Sequence, residues 1–178
     1  MKGMVFTGLL DMVEQKFGLE VVDQIIEKSN LKSKGVYTSV GTYDYHEMFE
    51  IVSNLSILTK IDSSKLVYSF GLYFFDTLLK IHPKVFNFYH TAFDLLSGIE
   101  THIHTHVRKI YPDAELPYFI MHEKSNKKLI LEYHSKRALS QFALGLMDKT
   151  LEHYKEKATI KKEFLNNEGT KVLFTLQK

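Results

Sequence analysis

The sequence predicts an α+β fold, with helices over its first two-thirds and a hairpin–helix–hairpin unit after them. Three observations carry this. From Met4 to Tyr111 apolar residues recur at helical spacings of about 3 to 4. After Pro112 the pattern changes to short β-prone runs, Tyr118–His122 and Leu129–Tyr133, separated by the polar stretch Glu123–Lys128. The segment Ala158–Leu176 then offers two strands around Asn166-Asn167-Glu168-Gly169, a hairpin turn signature.

Taken in order, Val5, Leu9, Met12, Val13, Phe17, Val21, Ile25 and Ile26 make one or two helices from Met4 to Lys28, with Gly18 as the break. Residues 30–44 are small and polar and read as a loop. Asp44 is placed to cap the next helix, whose stripe is Met48, Phe49, Ile51, Val52, Leu55 and Leu58. Ile61-Asp62-Ser63-Ser64 reads as a turn and a fresh cap. Leu66–Ile81 is apolar on several faces, so the helix is expected to be buried on most sides. Pro83 ends it, and Val85–Tyr111 is expected to supply the histidine helix, with or without a short turn before it, stopped by Pro112. A last helix runs from Arg137 to about Lys155.

At 178 residues the chain suits one domain, or two closely packed lobes sharing a core. Its hydrophobic (44%) and charged (25%) fractions are those of a globular protein. A net charge of +2 gives no reason to expect nucleic acid or a charged membrane surface as partner. The absence of cysteine excludes disulfides, thiolate zinc sites and thiol catalysis. No apolar run approaches the roughly 18 residues of a membrane span, and the opening residues lack a signal-peptide layout. A soluble, cytoplasmic protein is expected. The chain holds 13 Phe and 10 Tyr but no Trp, so many rings must be buried.

Gly98–Tyr111, GIETHIHTHVRKIY, carries three histidines at alternate positions. With Ile103 at the centre of the buried face, Leu96, Ile99, Val107 and Ile110 fall beside it. His104 lies about 100° to one side and His102 about 100° to the other. His102 and His106, four apart, share a face and could chelate a metal. No H-E-x-x-H glutamate and no third ligand accompany them. Histidines scattered along a helix flank fit equally, and the wheel does not choose among the three.

In Tyr133-His134-Ser135-Lys136-Arg137, strand alternation projects Tyr133, Ser135 and Arg137 to the face of Leu129 and Leu131. An apolar face ending in two hydroxyls and a guanidinium suits a flat hydrophobic ligand with carboxylates on one edge. The alternative is that Ser135 caps the next helix and Arg137 is solvated.

These features together resemble the H-NOX family, the haem–nitric oxide/oxygen-binding domain also found in soluble guanylate cyclase. The resemblance rests on Met1-Lys2-Gly3, on G-I-x-x-x-I-H ending at His104, on Leu116-Pro117, and on the Tyr-x-Ser-x-Arg strand at 133–137. It covers essentially the whole chain. It implies a single domain over 1–178, with a distal helical lobe over about 1–62 and a proximal α+β lobe of helices and two antiparallel hairpins over about 63–178. Haem b would be buried between the lobes. The resemblance puts the axial iron ligand on His104, propionate binding on Tyr133, Ser135 and Arg137, and pressure on the macrocycle on Pro117. Val5, Leu9, Phe74, Leu78, Phe142 and Leu146 are expected to line the distal pocket.

Oxygen-binding relatives carry a tyrosine where this chain has Phe142, and polar or indole side chains where it has Leu9 and Phe74. Bound O2 needs a donor and NO does not, so an apolar pocket favours NO and CO. Tyr68, Tyr73 and Tyr154 are the side chains that could supply a hidden donor. The resemblance implies a non-enzymatic NO sensor in which the His104–iron bond weakens or breaks. With no kinase, cyclase or methyl-accepting segment in the 178 residues, the output is expected in trans, on a histidine kinase or a cyclic-di-nucleotide enzyme. The rival readings are an O2- or redox-sensing haem protein, a small enzyme using His102 and His106, and a non-haem module for an apolar carboxylate ligand.

Overall fold

A computed structural model describes residues 1–178. Glycine separates the first two helices, α1 (Gly3–Phe17) and α2 (Leu19–Lys28): Gly18 sits at φ 91°, a conformation that costs a residue with a Cβ. The 30–44 segment is a loop, as its composition predicts, and it clasps the amino terminus. Met1 N donates to Tyr43 O at 2.6 Å, and Gly3 N to Gly41 O at 2.8 Å. A buried carboxylate anchors the loop from the next helix, α3 (His46–Thr59): Glu47 accepts from the Tyr37 hydroxyl at 2.7 Å and from Ser33 N at 3.2 Å. Asp44 caps α3 one residue early, accepting from His46 N at 3.0 Å while Tyr45 occupies the N-cap. Asp62 caps α4 (Ser63–Ile81), accepting from the backbone N–H groups of Ser64 and Lys65.

Two cores meet on α4. The helical one contains Phe6, Leu9, Met12, Ile25, Ile51, Leu55, Phe70 and Phe74. The other contains Phe75, Phe86, Leu95, Leu96, Leu129, Leu131, Met147, Phe174 and Leu176. Consecutive residues Phe74 and Phe75 thus serve different cores. Each such side chain contributes about 1.5–3 kcal/mol on burial. As expected, α4 is buried on most sides: from Leu66 to Ile81 only Asp76, Lys80 and Ile81 are exposed. Helix α4 also meets the last helix, α8 (Ser140–His153), backbone to backbone at two glycines. A Cβ on Gly71 would stand 2.3 Å from Phe142 O, and one on Gly145 would stand 2.3 Å from Tyr68 O.

The segment expected to hold the histidine helix, with or without a short turn before it, is instead four pieces: α5 (Pro83–Phe88), α6 (Ala92–Ser97), a π-helical turn (Ile99–His104) and α7 (Thr105–Ile110). Thr91 caps α6 by accepting from Asp94 N at 3.0 Å, which breaks the run at His90. In the π turn Ile103 N donates to Gly98 O, five residues back, at 3.1 Å. This shifts the wheel: Ile110, predicted on the buried face, is 47% exposed.

The sheet follows the predicted pattern. β1 (Tyr118–Lys124) and β2 (Lys128–His134) form one hairpin, with a loop shorter than expected. β3 (Thr159–Phe164) and β4 (Lys171–Gln177) form the other. All pairs are antiparallel, in the order β1-β2-β4-β3, and a register shift falls between Met121 and Glu123. Helix α8 (Ser140–His153) starts three residues later than predicted, because Ala138 at φ 50° interrupts the approach. The chain therefore folds as α+β.

Candidate cofactor site

A cavity of about 300 Å³ opens between α1, α4, α8, the π turn with α7, and the end of β2. Hydrophobic residues make up 22 of its 31 lining positions, so it suits the body of an apolar ligand. Val5, Phe74, Leu78, Phe142 and Leu146 line it, as do Pro117, His104, Tyr133, Ser135 and Arg137. Leu9 does not. It is 1% exposed inside the helical core.

The wall from α1, α4 and α8 is aromatic and tight, with the Phe142 ring 4.9 Å from Phe70 and 5.6 Å from Phe74. Its one hydroxyl, on Thr150, donates to Leu146 O at 2.7 Å. The three tyrosines that could have supplied a donor lie elsewhere. Tyr68 donates to Asp148 Oδ2 at 2.8 Å, Tyr73 accepts from Gln15 at 2.7 Å, and Tyr154 donates to Phe86 O at 2.7 Å. None of them lines the cavity.

Three imidazoles reach the cavity: His82, His104 and His106. His104 is distinguished by its surroundings. Its side chain is 12% exposed, and its Nδ1 lies 3.0 Å from Glu100 Oε2. With Nδ1 donating there, Nε2 is left as the free lone pair. Burial pushes its pKa down while Glu100 pulls the other way, and the net shift is below the ordinary histidine value. The ring is therefore neutral at pH 7, the form that ligates a metal. His106 is exposed on α7, and His102 is exposed with Nδ1 2.7 Å from the Tyr89 hydroxyl. No group of three or more His, Cys, Asp or Glu side chains could hold a metal, so His102 and His106 gain no third ligand.

Arg137 stands at the mouth, 9% exposed. It donates from one terminal nitrogen to Glu115 O at 2.7 Å and from the other to Glu115 Oε2 at 2.9 Å. Its Nε is buried with no partner. Ser135 Oγ accepts from Arg137 N at 3.2 Å, and burial raises the Tyr133 hydroxyl above the usual phenol range. The helix-capping alternative for Ser135 is excluded, since α8 begins only at Ser140. The Met1 amine also lines this end, and burial and the Arg137 charge lower its pKa. Lys2 bonds both Thr42 Oγ1 and Asp113 Oδ2 at 2.9 Å, tying the amino terminus to the segment after α7.

These residues fit haem. An apolar slot would take the ring, a neutral imidazole with one free nitrogen would be available to the iron, and a buried guanidinium whose Nε lacks a partner would take a carboxylate. The exposed Glu115 carboxylate already holds Arg137 in the way a propionate would. Glu100 and Glu115 escaped the sequence reading. Glu100 could have been found as the residue one helical turn before His104, but Glu115 carries no local signal.

Cavity, imidazole and edge guanidinium define the class: a domain built to hold a flat, carboxylate-edged metal cofactor between helices and a sheet. The chain matches the Haem-NO-binding family over residues 2–162 and belongs to it, an H-NOX domain of a family that binds haem and senses gases. It superimposes on the Fe(II) unliganded H-NOX protein of K. algicida with a TM-score of 0.96 and 46% identity, covering 100% of this chain and 96% of that one. The S. oneidensis H-NOX protein in the Fe(II)NO ligation state gives 0.87 and 28%, with 100% of both chains covered. Soluble guanylate cyclase gcy-33 of Caenorhabditis elegans is 26% identical over 139 residues, 77% of this chain but 14% of that protein. The chain thus matches a small part of that cyclase.

Proposed function

We propose that this domain is a haem b-based NO sensor with His104 as axial ligand, Tyr133, Ser135 and Arg137 as propionate ligands, and no enzymatic activity of its own. The observation that supports it most is the pairing of the Glu100-held His104 with a cavity wall bearing no free side-chain donor. Haem, when bound, supplies the iron that captures NO or CO. The α1, α4 and α8 wall excludes water and offers bound O2 no hydrogen bond, so it discriminates against O2. His104 is the group that gives way. It sits on a π turn that packs on α6 and β1, so its release would free that turn and α7 to shift against them. Residues 1–178 act as one domain, with α4 as the seam between a distal lobe of about 1–62 and a proximal lobe of about 63–178. The output follows only if a partner prefers one of the two arrangements. We take that partner to be a histidine kinase or a cyclic-di-nucleotide enzyme acting in trans, in the cytoplasm. No helix is long and apolar enough to cross a membrane.

Purified chain supplied with haem is expected to bind one haem, and its reduced form is expected to show no stable oxy spectrum in air. A colourless protein would overturn the haem reading, and a stable oxy complex would overturn the selectivity.

A further inference from the structure

Glu100 is placed to do more than fill space beside His104. One oxygen, Oε2, takes His104 Nδ1 at 3.0 Å and Phe119 N at 3.4 Å. The other, Oε1, takes an Arg108 terminal nitrogen at 2.6 Å. The Glu100 side chain is 16% exposed, and that of Arg108 is 42% exposed. The carboxylate therefore joins the imidazole to α7 on one side and to β1 on the other. The π turn contributes to this frame: Thr105 Oγ1 donates to Glu100 O at 3.2 Å, and Ile103 N reaches back to Gly98 O.

We infer that Glu100 is a positioning residue for the axial imidazole, fixing its tautomer and orientation and raising its electron donation, with Arg108 as the counter-charge that limits this effect. This rests on His104 being the iron ligand. An imidazole that donates its second N–H to a carboxylate is a more basic ligand, and removing such a partner weakens metal binding about 10- to 100-fold. Arg108 shares the same carboxylate and draws its negative charge away from the ring. Glu100 and Arg108 therefore act in opposite directions on one bond. They set how readily NO breaks it, and they carry the break to β1 and α7.

The test is resonance Raman spectroscopy of the reduced, haem-loaded protein without added gas, on the unaltered chain, Glu100→Gln and Arg108→Met. Gln keeps the shape of Glu100 and one acceptor but removes the charge, so a merely structural role predicts an unmoved iron–histidine stretching band. The inference predicts a lower frequency in Glu100→Gln and a higher one in Arg108→Met. On exposure to NO, loss of the imidazole should be about 10-fold or more faster in Glu100→Gln. A band unmoved in Glu100→Gln overturns the inference while leaving the haem reading intact. If the unaltered haem-loaded chain shows no iron–histidine band, the assignment of His104 fails and the inference with it. Arg108 is partly exposed and its replacement leaves the core intact, so Arg108→Met supplies the opposing arm even if Glu100→Gln folds poorly.

Discussion

Replacing His104 with glycine is expected to abolish the native axial ligation of the reduced haem protein, and free imidazole is expected to restore it. The substitution removes the one cavity imidazole whose Nδ1 is already committed to a carboxylate and whose ring is largely buried. A tethered ligand acts at an effective concentration on the order of millimolar or more, so rescue should require free imidazole in at least that range. The space vacated by the His104 ring opens on the cavity, so a free imidazole of the same size fits there. The same substitution at His102 should leave the spectrum unchanged, since that ring is exposed and engaged with Tyr89. His106 is the stricter control because it does line the cavity. It is exposed and has no carboxylate at its ring, so His106→Gly should also retain the native spectrum. Absorption spectra of the three variants, with and without imidazole, decide the assignment.

Phe142→Tyr is expected to create a stable oxy complex. The Phe142 ring lines the cavity and packs against Phe70 and Phe74, so a para hydroxyl would add a donor to a wall that has none free. A hydrogen bond to a charged acceptor is worth about 1.5–3 kcal/mol, or roughly 10- to 100-fold in O2 affinity. NO affinity should change little, because NO does not depend on such a donor. Oxygen titration of the reduced protein, read beside its NO complex, checks both halves. Unchanged O2 affinity would mean that the ring at 142 does not face the ligand.

Much of this site was legible in the sequence for identifiable reasons. Strand alternation from Leu129 placed Tyr133 on a buried face, and the structure finds it 2% exposed. Asp62 announced α4 because a capping side chain acts locally, on the next two or three backbone amides. The histidine segment was harder. A wheel at 100° per residue assumes an unbroken α-helix, and the π turn at Ile99–His104 violates that assumption where the ligand question is decided. Burial and the Glu100 bond single out His104 in the structure, whereas the sequence alone reached it only through the family pattern. Leu9 shows the opposite failure. The family resemblance put it in the pocket, yet α1 turns it into the helical core while Val5, one turn earlier, lines the cavity. Glu115 was invisible because its bond to Arg137 spans 22 residues of chain and an exposed side chain leaves no periodic trace.

The central claim is that NO displaces His104. Electron paramagnetic resonance of the reduced, NO-treated protein tests it most directly. Hyperfine splitting from the NO nitrogen alone is expected, with the imidazole lost. Additional splitting from an imidazole nitrogen at full NO saturation would show that His104 stays bound, and would contradict the switch.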